Sequence, residues 1–222
     1  MNAIRPTRKR ALFLDRDGTL IVDVGYPRDP ARVQLLPGAV DALRTLQQQW
    51  LLVIVTNQSG VGRGMISLDE ATAVQSRTNE LFAAHGVAFT GVEMCVHAPE
   101  AACACRKPAP GLLLAAAQRL GIDLTASAMV GDKVSDVEAG LAAGCAIALQ
   151  FAGASPALSA SQAMSASPAM SASQTMSASP AMSQLNLAGS GMVSYATPPL
   201  PRARVVADWP AVLTELTALA QG

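Results

Sequence analysis

The stretch Ala11-Leu12-Phe13-Leu14-Asp15-Arg16-Asp17-Gly18-Thr19 decides how this chain is read. Four apolar residues in a row suit a strand buried on both faces, and two carboxylates follow where a parallel strand opens into the crevice at the sheet's carboxyl edge. Gly18 lets the chain turn sharply enough to aim both acids into that crevice. An Asp-rich turn after a strand is the plainer reading, so what stands at the ends of the other strands decides between the two.

Three further exits carry polar groups. Leu51-Leu52-Val53-Ile54-Val55 runs into Thr56-Asn57-Gln58-Ser59-Gly60, Arg106-Lys107-Pro108 follows a Cys/His cluster, and Met129-Val130 runs into Gly131-Asp132-Lys133-Val134-Ser135-Asp136. Between 11 and 150, short aliphatic runs alternate with helix-like segments of roughly 10 to 18 residues, the pattern of a doubly wound, mostly parallel α/β sheet with helices on both faces. The spacing predicts strands over 11–15, 51–56, 91–96, 128–131 and 145–150, and helices over 38–49, 68–84, 110–120 and 134–143. Ser67 with Asp69 and Glu70 suits the start of the second helix. Asp15 with Asp17, then Thr56, then Lys107, then Asp132 with Asp136 resembles, motif by motif and in order, the haloacid dehalogenase-like (HAD-like) phosphatase superfamily. That resemblance implies a HAD-like Rossmannoid fold, here with no large cap domain between Gly18 and Thr56 or between Asn57 and Lys107.

The chain has 222 residues, half of them hydrophobic but only 4% aromatic, so aliphatic residues and Ala must fill the core. Sixteen basic residues balance sixteen acidic ones, which argues against nucleic acid or a membrane surface as a bulk partner. The basic run from Arg5 to Arg10 is followed by four apolar residues only, too few for a signal peptide, and no apolar run approaches the roughly 20 residues of a membrane span. The expected setting is a reducing cytoplasm, and the expected state a monomer. Organisation is expected as a tail over 1–10, one domain built from 11–152 and 203–222, and an insertion over 153–199. Residues 159 to 182 are the hexapeptides SASQAM, SASPAM, SASQTM and SASPAM, poor in large apolar groups and interrupted by Pro. Such composition predicts a disordered linker, with a Met-based recognition segment as the alternative. Residues 204–208 read as a last strand and 209–220 as a closing amphipathic helix.

The resemblance implies a phosphoryl-transfer site. Asp15 would be the nucleophile and Asp17 the general acid and base, with Thr56 and Lys107 stabilising the phosphoryl group. Two carboxylates beside a phosphate dianion call for a hard cation, and Mg2+ suits oxygen ligands. By resemblance these are the Asp15 carboxylate, the Asp17 backbone carbonyl and the Asp132 carboxylate. Asp136, one helical turn on, supports the site from behind or is an exposed helix residue. Substrate contacts are expected from Asp23, Val24, Gly25 and Tyr26, from Thr56, Asn57, Gln58 and Ser59, and from Arg106, Lys107 and Lys133.

Cys95-Val96-His97 and Cys103-Ala104-Cys105 place four thiol or imidazole ligands within eleven residues. In extended chain alternate residues point the same way, so each pair can present both ligands to one ion, and the set suits tetrahedral Zn2+. Four protein ligands leave no open position, which makes the zinc structural. Cys145 reads as a buried small hydrophobe and His85 as a helix-end residue.

The C-x-H and C-x-C-R-K-P form points, by resemblance, to the zinc-containing phosphatases of small phosphorylated metabolites. Ser59 and Lys133 favour a phosphorylated sugar over the histidinol phosphate of the neighbouring branch, and Arg106 beside Lys107 suits a second phosphate. Three rivals remain at this stage: a non-catalytic zinc-stabilised module, a phosphotransferase, and a polynucleotide phosphatase, the last disfavoured by balanced charge and scarce aromatics.

Overall fold

A computed structural model describes residues 9–152 and 202–221. The expected insertion over 153–199 and the N-terminal residues 1–8 lie outside the described residues. The strands are β1 (Ala11–Leu14), β2 (Leu51–Asn57), β3 (Gly91–Cys95), β4 (Ala128–Gly131), β5 (Ile147–Phe151) and β6 (Ala203–Val206). The helices are α1 (Ala39–Leu46), the short α2 (Ser59–Gly62), α3 (Leu68–Ala83), α4 (Gly111–Leu120), α5 (Val134–Ala143) and α6 (Trp209–Gln221). All strand pairs are parallel, in the order β3-β2-β1-β4-β5-β6.

Alternation along β1 divides the core into two. Leu12 and Leu14 face a layer with Leu43, Val74, Phe82, Trp209, Val212 and Leu216, from α1, α3 and α6. Ala11 and Phe13 face the opposite layer with Leu113, Ala116 and Ala139, from α4 and α5. Each fully buried Leu or Phe of this kind contributes roughly 1.5–3 kcal/mol from water exclusion. The near-continuous apolar strands of the sequence are therefore central strands covered on both sides.

Local signals set the helix boundaries. The Ser67 hydroxyl accepts from the Glu70 N–H at 3.0 Å and the Glu70 carboxylate accepts from the Ser67 N–H at 2.7 Å, a reciprocal cap that starts α3. Two details depart from the sequence reading. The fifth strand begins at Ile147, two residues later than expected; the Ala146 N–H donates to the Ser127 carbonyl at 2.8 Å and Cys145 sits buried just before it. The turn Ser59–Gly62 was not anticipated: two glycines in four residues argue against a helix, but the chain closes one turn here under tertiary contact.

The winding places the site. From β1 the chain moves outward to β2 and β3, then returns to the other side of β1 as β4, so the carboxyl ends of β1 and β4 flank the switch point where such sheets bind ligands. The last helix closes the crevice from below: Trp209 Nε1 donates to the Thr19 carbonyl at 3.2 Å and its ring lies 5.3 Å from that of Phe151.

Candidate active site

Asp15 directly follows β1, its N–H donating to the Val130 carbonyl at 3.0 Å, which locks the first acid to the neighbouring strand β4. Lys107 reaches it from the far side of the crevice. The Lys107 Nζ donates to Asp15 Oδ1 at 2.6 Å and to the Val55 carbonyl at 2.7 Å, and pairs with Asp136 Oδ1 at 2.7 Å. Its side chain is 2% exposed, which sets it apart from an ordinary solvated surface lysine. Burial alone would lower the Lys107 pKa, but Asp15 and Asp136 outweigh it and hold the ammonium charged.

Asp136 is buried and is not an exposed helix residue. One oxygen pairs with Lys107 and the other accepts from the Lys133 N–H at 3.0 Å, so it caps α5 while holding the lysine. Burial, and Asp15 next, push its pKa up despite Lys107. With two carboxylates and a carbonyl around it, the lysine stays an ammonium and needs a counter-charge.

Asp132 lies opposite. The Asp15, Asp132 and Asp136 carboxylates each bring an oxygen within 4.8 Å of the others. Burial pushes the Asp132 carboxyl up to about 7, against the pull of Lys133. Its Oδ1 is buried with no hydrogen-bond partner, the signature of an acceptor that waits for a cation. Gly18, at φ +83°, makes the space: a Cβ there would lie 2.4 Å from Asp132 Oδ2. An orphaned carboxylate oxygen among three clustered acids is an all-oxygen donor set, and it fits a hard divalent cation.

Asp17 is gripped from behind. Arg16 is fully buried, and its Nη2 sits 3.0 Å from Asp17 Oδ2, while Gln58 Nε2 donates to the same oxygen at 2.7 Å and to Thr56 Oγ1 at 3.0 Å. Burial raises the Asp17 pKa, more than Arg16 lowers it. Gln58 therefore bridges two site residues instead of pointing at solvent. Asn57 is similarly committed: its Nδ2 donates to the Lys107 carbonyl at 3.1 Å and its Oδ1 accepts from the Lys107 N–H at 3.1 Å. Both side chains, read from the sequence as substrate contacts, hold other site residues in place. The sequence reading missed Arg16; its one signal was a charge directly after a buried run, beside the acid it pairs with.

Around the mouth, Lys133 Nζ lies 3.3 Å from Asp23 Oδ2 and 3.8 Å from Asp132 Oδ2. Burial alone would lower the Lys133 pKa, but Asp132, Asp15 and Asp23 carry it above its usual value. Asp23 Oδ1 accepts from the Gly25 N–H at 2.8 Å, Val24 is exposed, and Tyr26 accepts from Arg63 at 2.8 Å. Ser59 begins α2, half-buried, and Arg106 Nη1 is buried without a partner. The pocket over Asp15, Asp17, Asn57, Lys107, Lys133, Ser135 and Asp136 is small, about 30 Å³. A larger cavity of about 360 Å³ lies beside it, lined by Ile21 to Val33 residues including Val24, Tyr26, Arg28 and Arg32. Chemistry belongs to the smaller one, where the charged groups converge.

Cys95, His97, Cys103 and Cys105 also converge. Cys105 Sγ lies 3.3 Å from both Cys95 Sγ and Cys103 Sγ and 3.2 Å from His97 Nδ1, and all four ligand atoms fall within 4.8 Å. Tetrahedral zinc with bonds of about 2.3 Å sets its sulfurs ~3.7 Å apart. Burial and the neighbouring sulfurs push Cys105 up to about 12. Burial opposes it, but hydrogen bonds led by that from Cys105 bring Cys103 down to about 6. Thiols this crowded cannot all ionise without a cation, and the set fits zinc. Gly111 allows the approach, since a Cβ there would lie 2.3 Å from the Ala104 carbonyl oxygen.

A parallel α/β sheet whose switch point gathers four aspartates and a buried lysine defines a phosphoryl-transfer protein. Comparison with known proteins agrees. A family model described as HAD-hyrolase-like matches residues 104–173. Over 141 residues the chain is 43% identical to D-glycero-beta-D-manno-heptose-1,7-bisphosphate 7-phosphatase of Yersinia pestis, covering 60% of this chain and 75% of the relative. Among solved structures, a putative HAD-like phosphatase from Mesorhizobium loti is 40% identical with a TM-score of 0.63, covering 69% of this chain and 77% of the other. The D,D-heptose 1,7-bisphosphate phosphatase from B. bronchiseptica, in complex with magnesium and phosphate, is 28% identical with a TM-score of 0.67, covering 94% and 98%. The chain belongs to the HAD-like phosphatase family, in the branch of these heptose bisphosphate phosphatases.

Proposed function

We propose that this protein hydrolyses the 7-phosphate of D-glycero-D-manno-heptose 1,7-bisphosphate, with Mg2+ bound and through an aspartyl-phosphate on Asp15. The observation that carries the reading is Lys107 Nζ, held 2.6 Å from Asp15 beside the unpartnered Asp132 oxygen: a nucleophile, a fixed positive charge and a cation position within one small pocket. The relatives' names supply the substrate.

Asp15 attacks phosphorus, the bond from phosphorus to the C7 oxygen breaks, and Asp17 gives its proton to that oxygen. Its raised pKa suits the acid role. Water then attacks phosphorus of the aspartyl-phosphate, Asp17 takes the water's proton, and the bond from phosphorus to the Asp15 oxygen breaks, which frees phosphate and restores the Asp15 carboxylate. The Asp15 and Asp132 carboxylates and the Asp17 backbone carbonyl would hold Mg2+, which when bound offsets the negative charge of the phosphoryl oxygens. Lys107 and the Thr56 hydroxyl stabilise the same oxygens. Gln58 and Arg16 keep Asp17 oriented, and Asn57 clamps the Lys107 backbone. Arg106, with a buried guanidinium nitrogen unpartnered, and Lys133 are the cations available to the 1-phosphate. Asp23 to Tyr26 and Ser59 border the sugar. Cys95, His97, Cys103 and Cys105 would hold a structural Zn2+, which would fix the loop that delivers Arg106 and Lys107. A monomer is the working unit in this reading. Among the described residues no helix is long and apolar enough to cross a membrane, and a cytoplasmic setting suits both the free thiols and a sugar phosphate substrate.

The test is magnesium-dependent phosphate release from heptose 1,7-bisphosphate, β anomer first, beside histidinol phosphate at matched concentration. The heptose should be preferred, and Asp15→Asn should lose at least roughly a thousandfold in kcat. Equal release by the wild type and Asp15→Asn would overturn the mechanism; preference for histidinol phosphate would overturn the substrate.

A further inference from the structure

The turn Ser59–Gly62 is wedged between two loops at the mouth of the site. On one side, a Cβ at Gly60 would lie 2.6 Å from Tyr26 Cδ1, so the ring of the loop that follows the nucleophile packs directly on the turn. On the other, the Gly62 N–H donates to the Val96 carbonyl at 2.9 Å, and a Cβ at Gly62 would lie 2.4 Å from the Ala98 nitrogen. The Cys/His loop is thus as close as backbone allows. Arg63, the next residue, spans both neighbours with one guanidinium: Nη1 donates to the Tyr26 hydroxyl at 2.8 Å and Nη2 lies 3.6 Å from Glu100 Oε1. At its other end the Tyr26 loop is tied by Asp23 to Lys133.

We infer that Arg63 is a positioning residue for substrate selection, a clasp that fixes the Asp23–Tyr26 loop against the Cys/His loop so that both meet the distal part of the substrate together. It touches no reacting atom. The planar guanidinium holds its donors in a fixed fork, so one side chain meets two partners in set directions with less ordering lost per hydrogen bond than a lysine would need. The inference rests on the reading that a two-phosphate sugar lies between these loops, since a small ester held only at Asp15 and Lys107 would not reach them.

Arg63→Met keeps an unbranched stem of similar reach up to the guanidinium and removes every donor. It should raise KM for heptose bisphosphate about threefold to tenfold, a modest factor because both contacts are solvent-exposed, with kcat within about twofold. KM for p-nitrophenyl phosphate should not move. Hydrogen exchange should quicken in both 22–27 and 97–102 and not in the strands. Tyr26→Phe, which removes one hydroxyl, should reproduce part of the KM rise and add nothing to Arg63→Met. Unchanged exchange in either segment, or KM for the heptose within about twofold of wild type, overturns the clasp. Should the wild type itself fail to prefer heptose bisphosphate over p-nitrophenyl phosphate, the substrate reading falls, and the exchange measurement alone then decides the clasp.

Discussion

Asp132→Asn should flatten part of the pH dependence of stability in metal-free protein. The Asp132 carboxyl titrates near 7 in the fold and at about 3.9 in an unfolded chain. A folded pKa above the unfolded one means that the native protein holds a proton the unfolded chain has released. Stability from this group is therefore greatest in acid and is lost as pH rises from about 4 to about 7. At about 1.4 kcal/mol per tenfold change in proton affinity the whole window would be worth about 4 kcal/mol. The carboxylate is partly open to water, and screening brings that to about 2 kcal/mol. Two thirds of it, ~1.3 kcal/mol, falls between about pH 5 and pH 8. Urea unfolding with a chelator present should show the wild type losing that much more than Asp132→Asn over the interval. Saturating magnesium, at ~100 times its Kd, should then return about 2.7 kcal/mol to the wild type at the alkaline end and little to the variant. Parallel pH curves, or equal magnesium stabilisation, would refute the account of Asp132 as a cation ligand kept waiting.

Asp136→Asn should cost about 3 kcal/mol in urea unfolding and at least roughly tenfold in kcat, because Lys107 then stays buried against Asp15 alone and ties up that carboxylate; a loss under about 1 kcal/mol would mean that the lysine does not depend on this pair. Purified protein should carry about one zinc per chain by elemental analysis, and Cys105→Ser should lose it and lower activity in a way that added magnesium does not restore; metal-free wild type with full activity would remove zinc from the description.

The strands and helices were legible because each signal is local. Apolar runs of four or five residues, bounded by polar exits, mark β1, β2 and β4 without reference to anything distant, and Ser67 with Glu70 starts α3 through contacts three residues apart. The pairs Cys95 with His97 and Cys103 with Cys105 could be read the same way, since spacing of two carries two ligands to one side of extended chain. The short turn Ser59–Gly62 was illegible: its shape comes from Tyr26 and the Val96–Ala98 backbone pressing on either side, and nothing within it asks for a helix.

By itself the amino-acid sequence determined the α/β class, the order of motifs and the residue types that gather at the strand ends, because period, composition and chemistry are written residue by residue. Only the tertiary structure decided what those residues do for one another. Asn57 and Gln58 turned inward to hold Lys107 and Asp17, Arg16 was buried whole, Asp136 became the lysine's counter-charge, and Arg63 joined two loops. Each of these partnerships except Arg16 with its neighbour spans about thirty residues or more of chain. No local preference encodes such a pairing: it exists once the sheet has brought the strand ends to one crevice and burial has left each polar group to find a partner there.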